Sequence, residues 1–297
     1  MGEIKQQFSI KDLEAFSGIK AHTIRIWEKR YDILKPKRTD TNIRLYDLES
    51  LQKILNIAFL NENGYKISRI SKLDNNEISS LVNRISASNS TKSRAIKSFK
   101  IAMVNFDHEL FLSSFNTLKL TKSFRDIFHE VFLPLLHEIG ELWQTNTINP
   151  SHEHFITSLI KQKIYTNIEQ LQSIKPHRKE RNFILYLPNG EIHDIGLLYL
   201  HYEILYHGYN AINLGHSLPI EDLKHLASTQ ENAHFVSFFT VKPDSLEHHL
   251  EEIKQELCEP YNAHYWFLGR KVKNLTKSLP DSRMKSFESI NEFILYL

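Results

Sequence analysis

The sequence has 297 residues, 41% of them hydrophobic and 24% charged, which is typical of a globular protein with two or three domains and a sizeable core. The net charge of +2 points to no particular partner, and the single cysteine, Cys258, excludes an internal disulfide and a cysteine-based zinc site. The sequence shows no export signal and no apolar run of about 18 residues, so we expect a cytoplasmic protein that does not span a membrane.

The amino-terminal part of the chain predicts a helix-turn-helix with a wing. Ser9 can cap a short helix that Gly18 ends, and a second helix follows from about Ala21 to Tyr31. Two short helices joined by a tight turn outline a helix-turn-helix, whose second helix enters the major groove of DNA. The polar loop that follows, from Lys37 to Asn42, predicts a small wing.

Positive charge is concentrated in the same segment. Residues 20–44 contain eight Lys or Arg and three acidic residues, a net excess of five positive charges that could meet a polyanion. Basic side chains on the second helix and on the wing would reach phosphates on either side of one groove. A solvated basic face is the other interpretation.

Three stretches resemble the MerR family of transcription regulators. They are Thr23-Ile24-Arg25-Ile26-Trp27-Glu28-Lys29-Arg30-Tyr31, Pro36-x-Arg38 and Asn42-x-Arg44-x-Tyr46, followed by a helix with Leu48, Leu51, Ile54 and Ile57. The resemblance implies a winged helix that binds double-stranded operator DNA as a dimer. The predicted DNA contacts are Thr23, Arg25, Arg30, Arg38, Arg44 and Tyr46. The family commonly has Gly where this chain has Asn42, and because Asn tolerates a positive φ we expect the wing turn to be kept.

The middle of the chain predicts a linker and a helical bundle. The stretch from Ser86 to Ser93 is rich in Ser, Asn and Thr, which places a linker at residues 81–92, between a DNA-binding domain at 1–80 and a bundle at 93–176. Apolar residues recur at helical spacing in four segments with short connections, which predicts an antiparallel four-helix bundle. The segments are Ser93–Phe106, His108–Leu118, Ser123–Trp143 and Pro150–Ser173.

The connection between the last two of these helices is chemically unusual. Trp143 ends one helix, and Glu153 and His154 begin the next. An apolar indole on one side and two polar groups on the other could bracket a flat ligand.

His193 is a candidate ligand residue because it follows a predicted strand. The apolar run Phe183–Leu187 ends in a turn and predicts a buried strand, and a helical pattern begins at Leu197. Loops at the carboxyl ends of strands are where open α/β sheets bind ligands. His193 could therefore ligate a metal through its neutral ring, with Glu191 and Asp194 orienting the other nitrogen. On these residues alone, a loop histidine is more often a solvated or capping residue than a metal ligand.

Residues 177–297 predict a parallel sheet, because strands and helices alternate in a βαβ rhythm typical of a flavodoxin-like (Rossmann-like) domain. The remaining strands are Asn210–Leu214, Phe235–Val241 and His264–Leu268, and the helices are Leu197–His207, Ile220–Ser228 and Ser245–Leu257. The predicted fold class is therefore multidomain: an all-α winged helix-turn-helix, a four-helix bundle and an α/β domain.

A second resemblance covers roughly residues 93–269. Trp143, followed after nine residues by Glu153-His154, matches the helical domain of CarH-type photoreceptors, which are MerR-like regulators that carry adenosylcobalamin. Glu191-x-His193-x-x-Gly196 looks like the cobalamin-binding Asp-x-His-x-x-Gly signature with a conservative Glu. The resemblance implies that His193 coordinates cobalt from below in place of the cofactor's own base. It also implies that the Trp, Glu and His of the helical domain cover the adenosyl face.

The same resemblance assigns the nucleotide tail of the cofactor to another part of the sheet domain. Ser237 and Thr240 fall at a Ser-x-Leu element near the tail, with Phe239 in place of the Leu, and Gly269 falls where the tail passes close to the backbone. The family usually has a second Gly at the next position. This chain has Arg270 there, which could pair with the cofactor phosphate or block the tail.

One residue bears on the response to light. In light-sensing members the residue after the Trp is a His that binds cobalt once the adenosyl group leaves, and here it is Gln144. Either another group, such as His152 or water, takes that place, or the protein holds a cobalamin without the same photoproduct.

These patterns lead to one main hypothesis and two alternatives. The main hypothesis is a DNA-binding transcriptional repressor, a homo-oligomeric dimer or tetramer, whose assembly is controlled by adenosylcobalamin and by light. The first alternative is a MerR-like regulator with a degenerate, cofactor-free domain that responds to a partner protein. The second is a corrinoid methyl carrier or mutase subunit, for which the chain offers no substrate barrel, so we predict that the protein is not an enzyme.

Overall fold

The computed structural model describes residues 7–88, 92–144, 148–275, 279 and 281–297. The chain forms two compact units, residues 1–160 and 161–297, and the boundary between them falls inside one long helix. In the described ranges, none of the helices combines the length and the apolar character needed to cross a bilayer.

The first unit begins with the predicted helix-turn-helix. Ser9 and Asp12 form a reciprocal capping box, in which each side chain accepts the other residue's backbone N–H, at 3.2 Å and 2.7 Å. Gly18 ends the same helix in the left-handed conformation, with a φ of 73°. The elements of this part are α1 Ile10–Ser17, α2 Ala21–Tyr31, β1 Lys37–Arg38, β2 Arg44–Leu45, α3 Leu48–Glu62, α4 Ile67–Ile70 and α5 Asn75–Ser88. The predicted pair of short helices is confirmed.

The predicted wing is a two-stranded antiparallel hairpin, in which Arg38 of β1 pairs with Arg44 of β2. At its tip the Asn42 N–H donates to the Thr39 carbonyl at 2.8 Å, and Asn42 has a φ of 63°. Asparagine visits this left-handed conformation more readily than most residues, so the turn forms without the family's Gly. The expectation for Asn42 is confirmed.

The rest of the first unit is helical, as predicted. Its helices are α6 Lys92–Asn105, α7 His108–Lys119, α8 Phe124–Ile127, α9 Leu133–Gln144 and α10 Pro150–Gln172, with a π-helical turn, Phe128–Phe132, between α8 and α9. Phenylalanine rings pack at its centre. The ring centroids of Phe99 and Phe111 lie 4.9 Å apart, and Phe115 stacks on Phe132 at 5.9 Å. All four side chains are buried, which gives this part a continuous aromatic core.

The predicted linker at residues 81–92 is wrong over most of its length. Helix α5 continues to Ser88 and α6 begins at Lys92, while residues 89–91 lie outside the described ranges. Ile78 and Val82 on α5 are buried, so apolar packing overrides the preference of the neighbouring Ser and Asn residues for loops. The compact units also divide at residue 160 rather than at the predicted 176.

The second unit is a five-stranded parallel sheet with strand order β4-β3-β5-β6-β7, which is 2-1-3-4-5 in chain order and flavodoxin-like, as predicted. The last strand and the helix after it were not predicted. The elements are β3 Arg178–Leu185, α11 Ile195–Tyr206, β4 Tyr209–Asn213, a 3₁₀ turn Ile220–Leu223, α12 Lys224–Thr229, β5 Ala233–Phe238, α13 Leu246–Ile253, α14 Glu259–Tyr261, β6 His264–Leu268, β7 Met284–Phe287 and α15 Ile290–Tyr296.

The strand order creates a switch point at the carboxyl edge of the sheet. Strands β3 and β5 are neighbours, but the chain goes from β3 to β4 on one side and from β5 to β6 on the other. The connections after β3 and β5 therefore lead in opposite directions, and open α/β sheets place their ligands in the crevice at such a switch point. The loop after β3 carries His193.

We expect Gly269→Ala to destabilise the sheet unit more than Gly215→Ala. Both glycines have a positive φ, 120° and 85°, so a side chain at either position adds about 1–3 kcal/mol of backbone strain. A Cβ at Gly269 would also lie 2.4 Å from the Phe239 carbonyl oxygen, whereas at Gly215 no described atom lies within 4 Å of it. Urea unfolding should show that Gly269→Ala loses at least about 2 kcal/mol more than this control. Equal losses would contradict the close approach.

Candidate functional site

A largely buried carboxylate joins the second helix of the helix-turn-helix to the wing. Glu28, on α2, accepts a hydrogen bond from the Tyr46 hydroxyl through Oε1 and from Arg44 Nε through Oε2, the latter at 3.1 Å. Burial and the nearby carboxylate raise the pKa of the Tyr46 hydroxyl well above its usual range, so it remains a donor. The three side chains fix the wing against α2 and set the spacing of the two basic surfaces.

The structure corrects the prediction for Tyr46. This residue is only 1% exposed, and its hydroxyl is turned toward Glu28 inside the unit. A side chain without exposed surface cannot contact DNA, so Tyr46 positions the wing instead of touching a groove.

The other predicted DNA contacts lie at the surface of the helix-turn-helix and the wing. Arg25 and Arg30 on α2 and Arg38 on the wing are exposed, and Thr23 is partly exposed. Arg44 is partly exposed beside Glu28. Their contacts with DNA stay predictions.

Glu191 lies at the centre of the crevice between the loops after β3 and β5. Its side chain is completely buried. Oε2 accepts the backbone N–H groups of Thr240, Val241 and Lys242 at 3.1, 2.7 and 2.8 Å. Oε1 accepts the His193 N–H at 3.0 Å and pairs with His193 Nδ1 at 2.5 Å. One carboxylate thus ties the two loops together and holds the imidazole.

These hydrogen bonds keep Glu191 ionised. Burial alone would raise its pKa, but the His193 ring and the N–H groups of Val241 and Lys242 lower it to about 2. The anion favours a proton on His193 Nδ1, which puts the lone pair of a neutral ring on Nε2, on the side away from Glu191. The His193 side chain is 51% exposed. An oriented and accessible imidazole is, in its neutral form, the kind of group that ligates a transition metal.

Two exposed aliphatic residues belong to the loops that Glu191 joins. Ile192 is 59% exposed and Val241 is 54% exposed. The backbone of each is held at the same carboxylate, because the N–H groups of Ile192 and Val241 donate to Glu191 at 3.0 and 2.7 Å. Exposed aliphatic groups on these two loops suit a largely apolar ligand.

Asp194 does not orient the His193 ring, which corrects one of the sequence interpretations. Its Oδ1 pairs with Lys161 Nζ of α10 at 2.5 Å, and its side chain is largely buried. The ring contact belongs to Glu191, as the other interpretation predicted.

The residues predicted to cover the adenosyl face lie where α9 ends and α10 begins. Glu153 and His154 occupy the first turn of α10, with Glu153 Oε2 3.3 Å from His154 Nδ1, and His154 is exposed. Trp143 and Gln144 are in the last turn of α9, and their side chains lie outside the described part of the structure. The ligand roles of this group stay predictions.

His152, considered above as a replacement cobalt ligand, is a core residue. It is buried and stacks on Phe106, with the ring centroids 4.9 Å apart, and burial lowers its pKa. An imidazole packed in this way is not presented to a ligand, so the structure does not support that alternative.

The residues predicted near the nucleotide tail take part in internal packing. The Ser237 side chain is completely buried, and its hydroxyl donates to the Tyr186 carbonyl at 3.0 Å. A Cβ at Gly196 would lie 2.7 Å from the Phe238 ring, so this glycine allows α11 to approach β5. Arg270, which follows Gly269, is exposed.

Two family models match the chain. The MerR HTH family regulatory protein matches residues 8–77, and the B12 binding domain matches residues 95–166. The HTH-type transcriptional repressor CarH of Myxococcus xanthus is 24% identical over 225 residues, which is 74% of either chain. The HTH-type transcriptional repressor CarA of the same organism is 24% identical over 220 residues, or 72% of this chain and 70% of CarA. The chain is similar to CarH and CarA over about three quarters of its length.

The chain combines a match to a MerR helix-turn-helix with a match to a B12 binding domain, which supports DNA binding and transcription regulation with a cobalamin cofactor. CarH and CarA are transcriptional regulators, which supports the prediction that the chain is not an enzyme. Among solved structures, the Methanosarcina barkeri monomethylamine corrinoid protein matches 69% of this chain and 98% of its own, with a TM-score of 0.52 and 13% identity. At this level of identity, the likeness shows only that the two proteins share a fold.

The contribution of the loop after β5 to the crevice was not predicted from the sequence. Ile192, Val241 and Lys242 were not singled out, and Thr240 was assigned to the nucleotide tail, whereas its N–H binds Glu191. A signal was present at residue 191, where Glu replaces the Asp of the signature. The extra methylene gives the carboxylate a longer reach toward a neighbouring loop.

We expect Glu28→Ala to lower the free energy of unfolding by about 2–3 kcal/mol, because the buried Tyr46 hydroxyl loses its acceptor and Arg44 loses its partner. Tyr46→Phe added to Glu28→Ala should recover about 1 kcal/mol, since the unsatisfied hydroxyl is then gone. Urea unfolding of the two single variants and the double variant measures this. Losses that simply add would contradict the shared hydrogen bond.

We expect Glu191→Gln to remove a pH-dependent part of the stability. The folded pKa of about 2 lies below the ordinary value of 4.5, so the ionised group stabilises the fold above pH 4.5, and this contribution fades as pH falls toward 2. At pH 6 the wild type should exceed Glu191→Gln by at most about 3 kcal/mol in free energy of unfolding. Glu221→Gln, at an exposed site in the same unit, is the control. A wild-type advantage that stays constant from pH 6 to pH 2 would refute the role of the ionised carboxylate.

Proposed function

We propose that this protein is a transcriptional repressor whose binding to operator DNA is controlled by adenosylcobalamin and by light. The observation that carries the proposal is the Glu191–His193 pair at the switch point of the sheet. The match of residues 95–166 to a B12 binding domain and the similarity to CarH and CarA support the same ligand class independently of this pair.

The residues at this crevice suit a cobalt corrinoid. Such a cofactor brings most of the metal's ligands with it, so one imidazole is a sufficient protein ligand, and His193 Nε2 would hold the metal. Glu191 fixes the ring orientation and keeps the proton on Nδ1. Ile192 and Val241 would lie against the ring and exclude water from the lower face. When bound, adenosylcobalamin would supply a cobalt–carbon bond that light can break.

The helix-turn-helix and the wing would bind the operator. Arg25 and Arg30 on α2 and Arg38 on the wing are exposed and positively charged, and they would contact phosphates or base edges of one groove. Glu28 holds the wing against α2, so the two surfaces are spaced before DNA arrives. One such unit makes few phosphate contacts, so tight binding requires a dimer or a larger assembly on two half-sites.

Control by the cofactor requires a difference between assembly states. A ligand shifts an equilibrium only by as much as its affinities for the two states differ. The proposal therefore includes an oligomer that adenosylcobalamin stabilises in the dark and that illumination separates.

The experiment compares three variants with the wild type after reconstitution with adenosylcobalamin in the dark. His193→Ala should shift or abolish the bound cobalamin spectrum, because the lower ligand is lost. His216→Ala, an exposed histidine on the loop after β4, should leave the spectrum unchanged. Arg25→Ala should keep the spectrum and weaken operator binding, with a salt slope lower by about one. Absorption spectra, gel filtration and mobility shifts before and after green light provide the measurements.

Two results would count against the proposal. A spectrum that is the same in His193→Ala and in the wild type would reject the ligand assignment. Pigment that bleaches in green light while particle size and operator affinity stay constant would reject the control by light.

A further inference from the structure

Two tyrosines fill the interior of the sheet unit next to Ser237. Tyr186, which directly follows β3, and Tyr265 on β6 are completely buried, and their hydroxyl oxygens lie 3.3 Å apart. The Ser237 hydroxyl donates to the Tyr186 carbonyl at 3.0 Å. Ser237 thus faces the chain's own backbone, inside an apolar cluster to which both tyrosines belong.

Three phenylalanines pack beside the two tyrosines in the interior of the sheet unit. The ring centroid of Phe235 lies 6.3 Å from that of Tyr186, and Phe267 lies 5.6 Å from Tyr265 and 5.9 Å from Phe239. All three phenylalanines are completely buried. Residues of α13 belong to the same cluster, so the layer between the sheet and this helix is packed with side chains.

Backbone contact closes the space at the end of β6. A Cβ at Gly269 would lie 2.4 Å from the Phe239 carbonyl oxygen and 2.7 Å from the Phe239 nitrogen. The two backbones therefore touch, and the Phe239 N–H donates to the Leu268 carbonyl at 2.8 Å. A ligand group could enter between them only by breaking this contact.

We propose that the protein binds its corrinoid through the ring alone and leaves the lower nucleotide outside the sheet. The sequence resemblance puts the nucleotide beside Ser237 and Gly269, and the space at both residues is taken by the chain's own aromatic rings and backbone. The inference rests on the proposed function, since it assumes a corrinoid on His193. The ligand class is then cobalt corrinoids with any lower nucleotide, and it includes incomplete corrinoids that lack the nucleotide.

The crevice contains what ring-only binding needs. His193 replaces the base of the nucleotide as lower ligand, and Ile192 and Val241 offer aliphatic surface to the ring. Adenosylcobinamide has no lower base to displace, whereas adenosylcobalamin must release its own base first. Without compensating contacts from a buried nucleotide, cobalamin gains no advantage in affinity.

The test titrates the full-length protein in the dark with adenosylcobalamin and with adenosylcobinamide, following absorption. We expect the two dissociation constants to agree within about tenfold, or cobinamide to bind more tightly. His193→Ala should weaken both corrinoids alike. In the complex with cobalamin, the phosphorus NMR resonance of the nucleotide phosphodiester should stay narrow and near its position in free cofactor, because the tail remains in solvent.

The outcomes separate this inference from the proposed function. Cobalamin that binds more than about tenfold tighter than cobinamide, or a phosphorus resonance that shifts and broadens on binding, overturns ring-only binding and leaves the cobalt ligand intact. If neither corrinoid binds, or if both bind equally well to His193→Ala, the proposed site fails and ring-only binding fails with it.

Discussion

The carboxyl edge of the sheet depends on one buried anion. A carboxylate removed from water is unfavourable unless hydrogen bonds occupy its lone pairs, and Glu191 meets this condition with His193 and with the N–H groups of residues 240–242. The last paired residues of strands β3 and β5 are Leu185 and Val236, so the strand pairing ends before either loop begins. Beyond these strand ends Glu191 joins the two loops, and the direction of the His193 ring is coupled to Val241, 50 residues after Glu191.

The helix-turn-helix uses the same physical device. Glu28 accepts from Tyr46 and Arg44, so a helix and a two-stranded hairpin that are only short elements by themselves are held at one spacing. In both units a glutamate accepts hydrogen bonds from a distant segment of the chain and so preorganises a surface that is otherwise made of loops or short strands. The residues that would contact a ligand or DNA are exposed, while the residue that positions them is buried.

Much of the fold followed from the sequence, and the failures have physical causes. Strands β3, β5 and β6 were predictable because each contains an apolar run, whereas β7 places Lys285 and Ser286 between its two buried ends and shows no such run. Tyr46 matched a DNA-contact position by family resemblance, but burial depends on the fold of the wing around Glu28. The role of Tyr186 was hidden for a similar reason. A tyrosine at a strand end is an ordinary β-former, and only the register of β3 against β5 decides that it packs beside Ser237.

Ring-only binding has a consequence for switching. A nucleotide buried between the sheet and α13 would make its contacts inside one packed layer, and such contacts stay the same in any assembly state that keeps the sheet unit folded. They would strengthen cofactor binding equally in both assembly states and would not shift the equilibrium between those states. Contacts of a corrin ring at the loop edge lie on exposed groups, Ile192 and Val241, where a second surface can meet the same ligand in one state and not in the other. A larger fraction of the binding free energy is then available to distinguish the two states, which is what a regulator requires of its ligand.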